Sequence, residues 1–250
     1  MYDDDDGTTA ALHELTLRVP PGRILGLLGR SGSGKTTVAR LALGLVAPTS
    51  GHVTIGGVDV SEIDERQLRS RVTAIPQDVQ LFPGTVRDNV TLFSDLSDDD
   101  VGAALDAVGL GPWWRALPLG LEAVLTADGR DDEGQRVGLS AGEAQLLSLA
   151  RALFRKPDVV ILDEATSRVD PVTQARIGEA IRRMLQGRTG IVIAHRLETL
   201  DVCDDIAVLA DGRLVEFGDR LVLSAEPSSR YAALRYGAPR HGTEHAEELE

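Results

Sequence analysis

Gly29-Arg30-Ser31-Gly32-Ser33-Gly34-Lys35-Thr36 sets glycines, a lysine and a hydroxyl in the pattern G-x-x-x-x-G-K-[ST]. Each residue type has a task in that spacing. Glycine lets the main chain turn so that its N–H groups point inward at a phosphate. The octapeptide follows an apolar run over 23–28 and opens a predicted helix over 35–45, whose N-terminus adds partial positive charge. The Lys35 ammonium can reach β- and γ-phosphates, and the Thr36 hydroxyl is a ligand for Mg²⁺. Gly29, Arg30, Ser31, Gly32, Ser33, Gly34, Lys35, Thr36 and Thr37 are the candidate nucleotide-binding residues. Composition sharpens the lysine: Lys35 and Lys156 are the only lysines among 26 basic residues. A lysine at 35 therefore marks a place where a flat guanidinium would not fit.

A second constellation closes the apolar run Val159-Val160-Ile161-Leu162, which ends in Asp163-Glu164. In a phosphate-loop protein such a strand carries the carboxylate that holds Mg²⁺, here Asp163. Glu164, one residue further at the C-terminal end of the strand, can take a proton from an attacking water. A third is Leu139-Ser140-Ala141-Gly142-Glu143-Ala144-Gln145. Ser140 and Glu143 have the S-x-x-E spacing of a capping box at the start of a long helix. A serine hydroxyl has one hydrogen and two acceptor positions, so it can cap with an acceptor and still donate to a phosphate.

These residues need elements to position them. Residues 12–19 and 23–28 read as two strands about Pro20-Pro21-Gly22, 52–55 and 72–75 as short strands, and 158–162 and 190–194 as buried strands. A helix is expected over 171–185 with proline at its start, and a hairpin at Asp211-Gly212 between 206–209 and 213–217. From about 82 to 156 the pattern is helical, broken at 109–112 and 127–138, as in an inserted subdomain. Strands alternating with helices imply a largely parallel α/β core.

The formal net charge is −13, with acidic clusters at Asp3–Asp6, Asp98–Asp100, Asp131–Glu133 and from Glu244 to Glu250. Such a surface repels a nucleic-acid backbone, so a bound phosphate must be held locally. No apolar run approaches the ~20 residues of a membrane-spanning helix. The single cysteine, Cys203, has no internal partner for a disulfide.

The order of motifs resembles that of ATP-binding cassette (ABC) transporters. Leu139–Glu143 is similar to the family's signature, with Ala141 and Glu143 departing from its commonest form, LSGGQ. Gln77 in Ile75-Pro76-Gln77-Asp78 matches the Q-loop, Asp170 in Ser167-Arg168-Val169-Asp170 the D-loop, and His195 in Ile193-Ala194-His195-Arg196-Leu197 the switch histidine. Tyr2 stands 33 residues before Lys35, where the family places an aromatic that stacks on adenine. The likeness runs to about Arg235.

The resemblance implies a P-loop NTPase (RecA-like) core with a small antiparallel β subdomain and an inserted helical subdomain. It implies one ATP-binding domain over 1–236, followed by an acidic tail over 237–250 expected to lack fixed structure. Two such domains pair head to tail and enclose two ATP molecules. Ser140, Ala141, Gly142 and Glu143 then meet the ATP held by the partner's phosphate loop. Gln77 senses both Mg²⁺ and the attacking water, Thr36 and Asp163 attend Mg²⁺ with it, His195 contacts the γ-phosphate, and Glu164 is the base.

Leu81–Asn89 and Ala194–Leu200 resemble exporter-type domains, and Tyr231-Ala232-Ala233-Leu234 the tail of exporters whose membrane helices precede the ATPase in one chain. The expectation is a membrane domain upstream and a place at the cytoplasmic face of the plasma (inner) membrane of a bacterium. Asp131–Arg136 lies where exporters carry an acidic, glycine-containing segment that contacts the membrane domain, with Glu133 displaced relative to Ser140. Two competing readings are a P-loop phosphotransferase, which leaves the signature unexplained, and an ABC ATPase acting on DNA or ribosomes.

Overall fold

A computed structural model describes residues 10–76, 79–125, 139–163, 170–194 and 196–236. In chain order the strands and helices are β1 (Ile24–Leu28), α1 (Lys35–Ala42), β2 (Thr54–Ile55), β3 (Val58–Asp59), α2 (Glu65–Arg71), β4 (Val72–Ile75), β5 (Gly84–Thr85), α3 (Val86–Thr91), α4 (Asp98–Ala107), α5 (Gly111–Arg115), β6 (Val124–Leu125), α6 (Ala141–Phe154), β7 (Val159–Asp163), α7 (Pro171–Leu185), β8 (Thr189–Ile193), β9 (Asp205–Ala210), β10 (Arg213–Asp219), α8 (Arg220–Ala225) and α9 (Arg230–Tyr236). The chain divides into two compact units, residues 1–69 with 189–250, and residues 70–188.

In the first unit, β1 pairs parallel with β8 on one side and with β9 on the other, and β9 pairs antiparallel with β10. A strand flanked on both edges is apolar along its length, and Leu25, Leu27 and Leu28 are all buried. The β9–β10 turn is Asp211-Gly212, both at positive φ (47° and 70°), as a two-residue hairpin requires. On β10, Glu216 accepts the main-chain N–H groups of Arg230 and Tyr231 at 2.8 Å each. That carboxylate anchors the start of α9 and seats the fully buried Tyr231.

Residues 12–19 do not form the expected strand. Beyond the buried Leu12 their burial alternates with period two, half-buried at 13, 15, 17 and 19 and exposed at 14, 16 and 18, but they make no β ladder. Alternation reports which side chains face the interior. A strand also needs a run of paired main-chain groups, and this stretch, although His13 N donates to the Gly212 carbonyl at 2.8 Å, forms no ladder.

In the second unit, β4 pairs parallel with β7, from Val72 opposite Val159 to Ile75 opposite Leu162. Between these strands the chain forms α3 to α6 and the small β5–β6 ladder. Helix α6 packs on α7, α3 and α4. Its Leu146, Leu147, Leu149 and Ala150 are wholly buried. Helix α7 buries Ile177, Ala180, Ile181, Met184 and Leu185, the stripe of a helix covered on one side. Each large side chain of that stripe contributes roughly 1.5–3 kcal/mol, an upper figure because the unfolded chain already hides some of it. The architecture is mixed α/β, dominated by parallel pairings, with small antiparallel ladders.

Candidate functional site

The phosphate loop runs from the end of β1 into α1. Gly34, the residue before the helix, has φ +99° and offers no side-chain cap. No acidic residue occupies the first turn of α1. The leading N–H groups of the helix therefore lack the carboxylate or hydroxyl that usually satisfies them, which is how a helix receives an anion. The Lys35 side chain is buried at 5% exposure. Its Nζ donates to the carbonyl oxygens of Gly29 (2.6 Å) and Arg30 (2.9 Å), so the ammonium lies inside its own loop. Ser33 is buried too, and its Oγ has no hydrogen-bond partner among the described residues. A buried orphan hydroxyl costs about 1–3 kcal/mol unless something accepts or donates to it. Uncapped amides, an enclosed cation and an orphan hydroxyl on one short turn fit a phosphate group. Thr36 is exposed at the same turn and Thr37 half-buried, as are Gly29 and, more fully exposed, Arg30, Ser31 and Gly32 around them.

Gly34 cannot be replaced cheaply. A Cβ there would stand 2.4 Å from Leu12 Cδ2 and 2.9 Å from the Ala11 carbonyl oxygen, at a φ that side chains avoid. Gly34→Ala is expected to lower stability by about 1–3 kcal/mol, the usual cost of one such strained residue with its clash. Thermal unfolding followed by circular dichroism reads it directly, and an unchanged Tm would refute the clash.

In the second unit, Asp163 ends β7 with a half-buried side chain, as expected of a carboxylate delivered by a buried strand. A hydroxyl such as Thr36 and a carboxylate such as Asp163 are the hard oxygen ligands Mg²⁺ takes. Ser140 caps α6, and the capping box is complete: its Oγ accepts from Glu143 N at 3.2 Å, while Glu143 Oε2 accepts from Ser140 N at 2.9 Å. The Ser140 hydroxyl also donates to Glu143 Oε2 at 2.8 Å. The hydrogen expected to face a phosphate is thus engaged by the residue where this signature departs from its commonest form. Rotation about the Cβ–Oγ bond is needed before it can donate elsewhere. Ala141 is exposed and Gly142 buried on the first turn.

Asp170 caps α7, accepting from Val172 N (3.0 Å) and Thr173 N (3.1 Å) ahead of Pro171 at the first helical position. Hydrogen bonds from Thr173, side chain and main chain, hold its carboxyl below the usual range, with a smaller contribution from Val172 N. The expected D-loop aspartate therefore has a local task of its own. Tyr2, Gln77, Glu164 and His195 lie outside the described residues, as do the segment 131–136 and the tail 237–250. Cys203 is buried, and desolvation pushes its thiol up to about 12, which makes it inert as a nucleophile.

Arg151 and Asn89 escaped the reading of motifs. Asn89 is fully buried, and Arg151 joins it to the segment that follows Gln77 in the sequence. The available signal was a lone charge inside Leu146–Leu153, an otherwise uncharged and almost wholly apolar helical stretch.

Residues 12–167 match the family model described as ABC transporter. The chain belongs to the ABC transporter family. It is similar to the ABC transporter ATP-binding protein YfiC of Bacillus subtilis, 39% identical over 208 residues that make up 83% of this chain and 33% of that protein. The ATP-dependent lipid A-core flippase of Paraburkholderia xenovorans is 38% identical over 215 residues, 86% of this chain and 35% of the flippase. A bacterial Atm1-family ABC exporter solved with ATP bound superposes with a TM-score of 0.80 at 34% identity, covering 92% of this chain and 39% of the exporter. The chain thus spans about a third of the length of the curated relatives it matches. The chain corresponds to the ATP-binding, ATPase domain of such transporters. No helix among the described residues is long and apolar enough to cross a membrane.

Proposed function

We propose that this domain drives an ABC exporter by binding ATP between two copies of the fold and hydrolysing it, with a membrane domain as its mechanical partner. The observation that carries this is the phosphate loop: an uncapped helix N-terminus, the enclosed Lys35 and the orphan Ser33 hydroxyl, on a chain whose relatives are exporters.

Residues 1–236 form the ATP-binding domain in this reading, with a helical subdomain over about 82–156. Main-chain amides of Gly29 to Thr37 receive the phosphates, with Arg30, Ser31, Gly32, Ser33 and Gly34 shaping the turn. Lys35 leaves its carbonyl partners for the β- and γ-phosphate oxygens. Tyr2 stacks on adenine. Thr36, Asp163 and Gln77 would hold Mg²⁺, which when bound offsets the negative charge of the phosphates. Glu164 takes a proton from water as the water oxygen bonds to the γ-phosphorus and the bond to ADP breaks. His195 hydrogen-bonds the γ-phosphate. Ser140, Ala141, Gly142 and Glu143 belong to the other half of the site, reached across the dimer, and Asp170 lies on the D-loop beside it. Closing on ATP and opening after hydrolysis would move a membrane domain at the cytoplasmic face of the membrane.

The test is pairing. Ser140→Arg places a large cation at the start of α6 and is expected to abolish ATP-driven dimerisation while the affinity of the monomer for ATP is unchanged. Sedimentation velocity in ATP, without hydrolysis, measures it. A Ser140→Arg protein that dimerises like its parent would remove the signature from the interface.

A further inference from the structure

Asn89 is wholly buried on α3 and spends its amide on one stretch of main chain. Its Oδ1 accepts Phe82 N at 2.9 Å, and its Nδ2 donates to the carbonyls of Phe82 (2.8 Å) and Thr85 (3.1 Å). Arg151 reaches the same place from α6. Its Nε donates to the Asn89 carbonyl at 2.5 Å, one terminal nitrogen to the Gln80 carbonyl at 2.8 Å, and the other to Asn89 Oδ1 at 3.2 Å. The guanidinium also lies over the Phe82 ring, 5.5 Å from its centre. Among the described residues it has no carboxylate partner, and burial pushes its pKa down.

Residues 79–83 have no regular secondary structure. No ladder holds this segment until Gly84 and Thr85 meet β6. Among the described residues, side chains from α3 and α6 hold its main chain. A half-buried guanidinium, bonded among the described residues to carbonyl and amide oxygens and to no carboxylate, is a costly fastening if general stability were its only use, since an apolar side chain could fill much of the space. Its five donors in a fixed fork do what an apolar group cannot: they hold main-chain atoms to a direction. Arg151 lies three turns along the helix that begins beside Ser140, and a helix of that length moves as a rigid rod. A shift at the signature end of α6 is therefore delivered to Gln80, three residues beyond Gln77 in the sequence.

We infer that Arg151, with Asn89, is a positioning residue that ties segment 80–85 to the signature helix, so that the chain leading out of Gln77 and the start of α6 move together. The inference rests on the proposed ATP-driven function and adds to it the residues that couple two of its parts. Neither is among the residues proposed to meet nucleotide. Their loss should lower turnover and leave ATP affinity alone.

The experiment compares the 250-residue chain with Arg151→Met, which keeps an apolar stem, and Arg151→Lys, which keeps the charge without the fork. Four quantities are measured: kcat, KM for ATP, Tm, and amide hydrogen exchange over 79–85. Arg151→Met is expected to lose about tenfold or more in kcat, on the scale of a reacting group misplaced by a fraction of an ångström to an ångström. Its KM should be unchanged and exchange over 79–85 faster. Arg151→Lys should fall between the two, because a point charge replaces a directed fork. Normal kcat in a folded Arg151→Met protein overturns the inference. So does a loss of kcat with exchange over 79–85 as slow as in the parent, or a rise in KM that tracks a fall in Tm. If Arg151→Met does not fold, the Arg151→Lys protein decides by the same readings. A parent chain that hydrolyses no ATP would instead overturn the proposed function, and this coupling role with it.

Discussion

Glu164→Gln is expected to bind ATP and fail to hydrolyse it, accumulating as a closed, ATP-loaded dimer while the parent stays mostly monomeric at the same concentration. Glutamine keeps the length and hydrogen-bonding reach of glutamate but cannot accept a proton at that position. A positioned base is worth roughly 10²–10⁴-fold in rate, and the loss should be of that size. Binding should survive because it draws on the phosphate loop, a different part of the chain from the end of β7. If opening requires hydrolysis, blocking the chemistry traps the pair. Phosphate release measured beside size-exclusion chromatography in ATP separates the outcomes. Hydrolysis at the parent's rate would remove Glu164 as the base. An inactive protein that never dimerises would leave the base in place and count against the ATP sandwich.

Lys35→Ala should have the other large effect, and the structure adds a reason to the sequence's. The ammonium sits at 5% exposure on the Gly29 and Arg30 carbonyls. Removing it deletes the mobile cation and also orphans two carbonyls that shape the loop. The orphaned carbonyls lower the stability of the empty loop by about 1–3 kcal/mol each if they remain buried. Loss of the cation that would meet the β- and γ-phosphates should lower ATP affinity by about an order of magnitude or more, with turnover lost. Lys35→Arg should not restore it, because a planar fork cannot occupy the space of a compact ammonium. Equilibrium binding of a fluorescent ATP analogue measures both variants. Unchanged affinity and unchanged hydrolysis in Lys35→Ala would take the phosphate loop out of the site.

Much of the candidate site was legible because its signals are local. The phosphate loop, the strand ending at Asp163, the Ser140–Glu143 capping box, the proline-led helix 171–185 and the Asp211-Gly212 hairpin each depend on residues within a few positions of one another. Glu164 followed from its place one residue past that strand, and family resemblance extended the reading to Tyr2, Gln77 and His195; the roles of all four stand as proposals.

The sequence alone determined which segments are apolar on one side, where the chain turns, and which short runs can hold a phosphate or a divalent cation. Periodicity, glycine placement and charge act over a turn or a strand, so they can be read without coordinates. Tertiary structure decided matters that depend on distant neighbours. It left 12–19 without a ladder, since alternation does not supply a partner backbone. Above all it sent Arg151 across 62 and 71 residues of chain to Asn89 and Gln80. A lone arginine in an apolar helix announces that something must compensate its burial, but only the fold brings the oxygens that do.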